Sequence, residues 1–203
     1  MKMNYLYLVD NIAFYKSYKN NNVFKIKLSK KEIKLGKISD INLFYDTFNT
    51  FLIQKHLINI LYNEKITLII NETYTNSDKY LLEEILNKIN FNQVYFINVS
   101  NILDLKNYNY LEINNDYLLM YYKNNLKKKK YRLIPSNFFN SNEELFNYIN
   151  NNFPSKDTLL YGNNTSIEDI LKELDKFNNK INYYILEKPS SYLVNQMFNL
   201  KTS

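Results

Sequence analysis

Hydrophobic residues are most regularly spaced between positions 65 and 99. Apolar runs at residues 66–70 and 94–97 are typical of buried strands. Between them a helix is predicted, with Asn76 or Ser77 as its N-cap. Its apolar positions recur at helical spacing and are Leu82, Ile85, Leu86 and Ile89. Two buried strands joined through a helix predict a right-handed crossover in a mostly parallel sheet.

The remainder of the first half is predicted to contain three short strands and a long helix. The strands are expected at residues 2–9, 12–18 and 23–28, followed by a lysine-rich link at 29–37. Ser39 or Asp40 is the expected cap of the helix, which the apolar pattern extends to about residue 62. A short helix near 101–105 closes the half. The predicted order is therefore β-β-β-α-β-α-β.

The second half repeats this order of elements. Strands are predicted at 110–113, 117–122 and 131–134, and a helix capped by Ser141 or Asn142 runs to 150. A strand at 157–161, a helix capped by Thr165 or Ser166, and a strand at 181–186 follow. We predict an α/β protein of two ribonuclease-H-like halves, residues 1–107 and 108–187. A C-terminal helix at 188–203 is expected to return to the first half.

The composition excludes several classes of protein. Without cysteine the chain forms no disulfide and no thiolate zinc site, and its single histidine, His56, is expected to be structural. No apolar run approaches the roughly 20 residues of a membrane span. Asp10 stands where a signal peptide would continue with apolar residues. We therefore expect an intracellular protein of the cytoplasm, cytoskeleton or nucleus, without a membrane partner.

Three segments occur in the order found in actin and the actin-related proteins. Residues 5–11 are similar to the first strand and phosphate loop, 35–40 to the entry of the long helix, and 158–165 to the adenosine loop. The chain resembles this family along nearly its whole length, as a two-lobed actin-like core without the two smaller subdomains. The resemblance implies a nucleotide cleft, whose remnants would be Asp10, Asn11, Lys16, Asp116 and Gly162.

The chemistry of that cleft departs from the family. Ile12, Ala13 and Phe14 follow Asp10 and Asn11 where the family has glycines, although a backbone approaches phosphate closely only where side chains are small. Residues 114–117, Asn-Asn-Asp-Tyr, also lack the glycines of the second phosphate loop. Ser100 stands where the family has its water-positioning glutamine. We expect a degenerate cleft with no catalytic residue, no metal site and no cofactor, ATP and Mg²⁺ included.

Three functions are compatible with this sequence. The first is a non-catalytic actin-related subunit of a larger cytoskeletal or nuclear complex, whose partners are other protein subunits, with actin or actin-related proteins among the candidates. The second is a working minimal actin-like ATPase. The third is an RNA-binding or ribosome-associated protein, suggested by the positive net charge of +6 and by Arg132 beside the lysine run at 127–130. Because such runs are usually solvated turns, nucleic acid is not the expected partner.

Overall fold

The computed structural model describes residues 3–9, 11–18, 22–57, 64–114, 116–124, 126–152, 157–162 and 183–185. The chain divides into two compact units, with the division between Ile102 and Leu103. Each unit contains one five-stranded sheet. The elements of the first unit are β1 (Met3–Val9), β2 (Ile12–Lys16), β3 (Phe24–Lys27), β4 (Ile33–Lys34), β5 (Lys37–Ile38), α1 (Ile41–Gln54), β6 (Glu64–Ile70), α2 (Asn76–Lys88), β7 (Phe91–Asn98) and α3 (Val99–Ile102).

The sheet of the first unit has the order β3-β2-β1-β6-β7. The first three strands form an antiparallel meander, whereas β1, β6 and β7 run parallel. Helix α2 makes the predicted crossover between β6 and β7. The three N-terminal strands thus join the strands at Ile66 and Val94 in one sheet, as the sequence predicts.

Helices α1 and α2 cover one face of this sheet. Phe44, Phe48 and Leu52 project from α1, and Leu82, Ile85 and Leu86 from α2, into a core completed by alternate residues of the strands. All seven residues of β1 are nevertheless buried, so both faces of the central strand are shielded from solvent. Such two-sided burial explains why β1 carries a nearly continuous apolar run.

The ends of the helices differ in detail from the prediction. Asp40 caps α1, its carboxylate accepting from the Leu43 N–H at 3.0 Å. The helix ends at Gln54, eight residues before the predicted position 62. His56 has a φ of 53°, and Leu57 N–H donates to the Leu52 carbonyl at 2.8 Å. This is a Schellman motif with histidine in the left-handed position where glycine is usual, and it ends the helix.

The start of α2 is set by Thr75 rather than by the predicted Asn76 or Ser77. Thr75 Oγ1 accepts from the Asp78 N–H at 3.2 Å, and the Asp78 carboxylate accepts from the Thr75 N–H at 2.7 Å. The two residues form a capping box, in which each side chain satisfies the other's backbone donor. The predicted buried face of this helix is confirmed.

The link between β3 and α1 is not an open loop, since β4 and β5 form a small hairpin within it. The lysine-rich sequence of this link does not predict a strand. The Tyr74 hydroxyl accepts from the Ile38 N–H at 3.2 Å, and Lys37 Nζ lies 2.8 Å from an Asp78 oxygen. These contacts hold the hairpin against the loop after β6 and the first turn of α2.

The second unit repeats the topology of the first, in the order β10-β9-β8-β11-β12. Strands β8, β9 and β10 are antiparallel neighbours, and β8, β11 and β12 run parallel. One face packs on α4, through Phe146 and Ile149. The elements are β8 (Asn109–Ile113), β9 (Tyr117–Lys123), β10 (Lys129–Pro135), a 3-10 turn (Ser136–Phe138), α4 (Asn142–Asn152), β11 (Thr158–Gly162) and β12 (Tyr183–Ile185).

The repeated sheet confirms the predicted α/β class and the repeated order of strands. Ser141 caps α4, its hydroxyl accepting from the Glu144 N–H at 3.2 Å. The predicted short helix at 101–105 is wrong in its bounds, because the observed one spans Val99–Ile102. The predicted helices after Thr165 and at 188–203 lie outside the described residues.

Candidate functional site

The turn between β1 and β2 is the position of the expected first phosphate loop. Val9 and Ile12 are register partners, so only Asp10 and Asn11 lie between the two strands. Asp10 lies outside the described residues. The Asn11 carbonyl accepts from the Leu28 N–H at 2.8 Å, which ties the turn to the residue after β3. The connection between β1 and β2 is therefore two residues long, which is the commonest length for a β-hairpin.

The residues expected to replace the loop's glycines are part of β2. Ile12, Ala13 and Phe14 pair with β1 on one side and with β3 on the other. In a strand with a neighbour on each side, successive backbone N–H groups are directed to one ladder or the other. These amides are therefore committed to the sheet, and the three side chains are buried. In this arrangement, the backbone N–H groups of residues 12–14 point along the sheet rather than together toward one phosphate oxygen.

Lys16 lies far from that turn. It is the last residue of β2 and the register partner of Tyr5, four residues beyond Ile12. At about 3.3 Å per residue, its Cα is roughly 13 Å along the strand from the turn. Only 9% of its surface is exposed. Lys16 therefore does not lie beside Asn11, although the resemblance places both in one site.

A polar network occupies the carboxyl ends of β6 and β7, next to the β1–β2 end of the sheet. The Asn71 side-chain oxygen accepts from the Thr73 N–H at 3.0 Å, and its amide donates to the Gly36 carbonyl at 3.4 Å. Glu72 accepts from the Ser100 N–H at 2.8 Å, and its second carboxylate oxygen is buried without a hydrogen-bond partner. Ser100, the residue in the glutamine's place, thus binds a carboxylate of its own unit.

The turn between β8 and β9 is the expected second phosphate loop. The Asn114 N–H donates to the Tyr117 carbonyl at 2.9 Å, which closes a four-residue turn, and Asn115 lies outside the described residues. Asp116 is half-buried, and its carbonyl accepts from the Ser136 N–H at 3.0 Å. The turn is therefore joined to the segment that follows β10.

Glu112 lies behind this turn and was not among the predicted site residues. Its carboxylate is buried and accepts from the Asn114 amide at 2.7 Å and from the Tyr117 hydroxyl at 3.0 Å. The available signal was a single acidic residue within the apolar run of β8. These donors hold the carboxylate inside the unit and brace the turn.

The structure brings together only some of the predicted residues. In the second unit, Gly162 ends β11 as the register partner of Ile113, at the same end of the sheet as Asp116. In the first unit, Asn11 and Lys16 lie at opposite ends of β2. Within the described part of the chain no three His, Asp or Glu side chains cluster closely enough to hold a metal. No helix there is long and apolar enough to cross a membrane.

Solved structures with the same fold cover almost the whole chain. It is similar to MreB 5 of Spiroplasma citri bound to AMPPNP, with a TM-score of 0.64 and 9% identity over 98% of this chain and 96% of that chain. For the ethanolamine utilization protein EutJ from Carboxydothermus hydrogenoformans, the TM-score is 0.63 and the identity 10%, over 96% and 89% of the two chains. For MamK in a double helical filament they are 0.63 and 8%, over 99% of each chain.

Sequence comparison adds nothing to this likeness, since no protein-family model and no curated protein matches the chain. The common fold is independent of the cleft chemistry described above, because it rests on strand order and helix placement. The chain has the fold of the actin-like ATPases.

Proposed function

We propose that this chain is a non-catalytic actin-like subunit of a larger cytoskeletal complex and acts through contacts with other proteins. Filament-forming relatives of the same fold support the cytoskeletal setting, since MamK was solved as a double helical filament. No such support exists for a nuclear complex. The partners we propose are other subunits of the assembly, with actin-like proteins foremost.

One observation carries the non-catalytic part of the proposal. The β1–β2 connection has two residues, and the amides of residues 12–14 belong to ladders on both sides of β2. A phosphate site needs several backbone N–H groups that point at one oxygen with no side chain in the way. Opening β2 to supply them would break sheet hydrogen bonds and expose Ile12 and Phe14.

A working minimal ATPase is the second candidate. Its support is that MreB 5, with the highest TM-score of the three structures cited, was solved with the nucleotide analogue AMPPNP. Asp116 and Gly162 also lie at one end of the second sheet, where the resemblance implies nucleotide contacts. This candidate requires a phosphate site that does not use the amides of β2.

Titration calorimetry with Mg-ATP separates the two candidates. We expect no heat of binding and no phosphate release above background, because the turn after β1 offers no cradle. Titrations with Mg²⁺ alone and with Mg-ADP are the controls for heat from the metal ion and from the nucleoside diphosphate. Micromolar ATP binding that is abolished by Asp10→Ala or Asp116→Ala would contradict the proposal and favour the ATPase.

A further inference from the structure

Strand β10 forms an outer edge of the second sheet. It pairs with β9 over all seven residues, and no described strand pairs with its other side. The turn before it is closed by the Lys127 N–H, which donates to the Asn124 carbonyl at 2.8 Å. An edge of this kind presents a row of backbone donors and acceptors that a further strand can use.

The charge along this edge is entirely positive. Lys127, Lys128, Lys130 and Arg132 are exposed, and no ion pair among the described residues includes any of them. Like charges placed directly opposite each other across a ladder are destabilising. A second copy of β10 is therefore a poor occupant of the edge, whereas an acidic strand is complementary to it.

Arg132 is held in place by neutral groups. Its Nη1 donates to the Tyr148 hydroxyl at 2.7 Å and to the Asn152 side-chain oxygen at 2.9 Å. The guanidinium lies 5.9 Å from the centre of the Tyr148 ring. These contacts fix its orientation and leave its charge uncompensated. The Nε and Nη2 donors take part in none of these hydrogen bonds, and they form the fork that binds a carboxylate.

We propose that an extended acidic segment of a partner protein adds as a strand to the outer edge of β10. Lys130 and Arg132 lie two residues apart and share the face of the sheet on which α4 packs. Carboxylates at every second position of the added strand would meet both. The ladder favours a peptide over a nucleic acid, because phosphate groups accept hydrogen bonds but offer no donors to the carbonyl groups of the edge. This inference rests on the proposed function only in taking the partner to be a protein.

Fluorescence anisotropy with a short labelled peptide that alternates glutamate and valine tests the inference. We expect saturable binding at physiological salt, weakened about tenfold by Lys130→Ser with Arg132→Ser, because two exposed ion pairs are lost. The matched control is Lys25→Ser with Lys27→Ser on β3. That variant removes the same charge from an edge of the other sheet, and it should bind as the wild type does.

Two altered probes distinguish strand addition from plain charge attraction. Replacing glutamate by glutamine should weaken binding at least tenfold, whereas N-methylation of alternate peptide amides, which keeps the charge, should abolish binding. The inference is overturned if no peptide binds, if the N-methylated peptide binds equally well, or if both double variants are weakened alike. Tighter binding of single-stranded RNA than of the peptide would also overturn it. None of these results depends on ATP, so the proposed function is tested separately.

Discussion

Asn4 illustrates how single polar residues are accommodated inside the first sheet. Its amide donates to Glu64 at 2.8 Å, and its side-chain oxygen accepts from the Tyr15 hydroxyl at 3.1 Å. Burial, reinforced by the Glu64 charge, raises the pKa of Tyr15. The hydroxyl therefore stays protonated and remains a donor. Asn4, Tyr15 and Glu64 are tolerated in the interior because each forms a hydrogen bond with another member of the group.

The contribution of Asp78 to the stability of the first unit depends on pH. Burial alone would raise its pKa, but the hydrogen bonds from Lys37 and Thr75 outweigh burial and lower the pKa below 3.8. A carboxylate whose pKa is lower in the folded than in the unfolded protein stabilises the fold at pH values above its unfolded-state pKa. This contribution is lost as the pH falls through the folded-state pKa. The carboxylate joins β5 to the first turn of α2.

We predict that Asp78→Asn lowers the urea midpoint at pH 7 and that its difference from the wild type vanishes at pH values below the folded-state pKa. Urea denaturation across a pH series measures both parts. Asp46→Asn, at an exposed position of α1, is the matched control and should leave the midpoint unchanged. A difference that persists undiminished in acid would show that the side chain acts by its shape rather than its charge.

At the scale of elements, α2 is the helix whose role is best defined. Ile85 is 5% exposed and packs into the core of the first sheet, whereas Leu81 on the same helix is 46% exposed. We predict that Ile85→Ala costs about 2–5 kcal/mol of unfolding free energy. Leu81→Ala should cost less than about 0.5 kcal/mol, since it creates no cavity. Chemical denaturation of both variants measures the two free energies of unfolding. Equal losses would show that Ile85 does not pack in the core.

The sequence predicts α2 well because the spacing of apolar residues along a helix is a local property of the chain. The strands are predicted equally well, since their apolar runs are local too. The errors occur where tertiary contacts or rare backbone states decide. His56 ends α1 in a left-handed conformation, which is not predicted from the sequence because glycine is the usual residue at that position. The β4–β5 hairpin depends on contacts with Tyr74 and Asp78, which are distant in sequence. Such contacts leave no periodic pattern.

At the scale of the whole molecule, the same strand order occurs in both sheets, while the candidate site is only partly foreseeable. That Ile12 begins a strand is predicted from its apolar neighbours. The distance of Lys16 from the turn follows from the register of β2 against β1, which no single residue encodes. Glu112 is not predicted as a site residue, because the sequence of a five-residue strand does not show whether its one acidic side chain is buried or exposed. Its partners Asn114 and Tyr117 become apparent only in the folded turn.

Assembly of this chain should not depend on nucleotide. A ligand shifts an equilibrium only by its difference in affinity for the two states, so a nucleotide that does not bind cannot drive polymerisation. Because the amides of residues 12–14 are committed to the sheet, we expect Mg-ATP to leave the assembly state of the purified chain unchanged. Light scattering and negative-stain electron microscopy, with Mg²⁺ alone as control, measure this. The proposal of a non-catalytic subunit would be contradicted if filaments appeared with Mg-ATP and if Asp116→Ala prevented them. Assembly that proceeds equally without nucleotide agrees with it, because the contacts between subunits would then depend on protein surfaces alone.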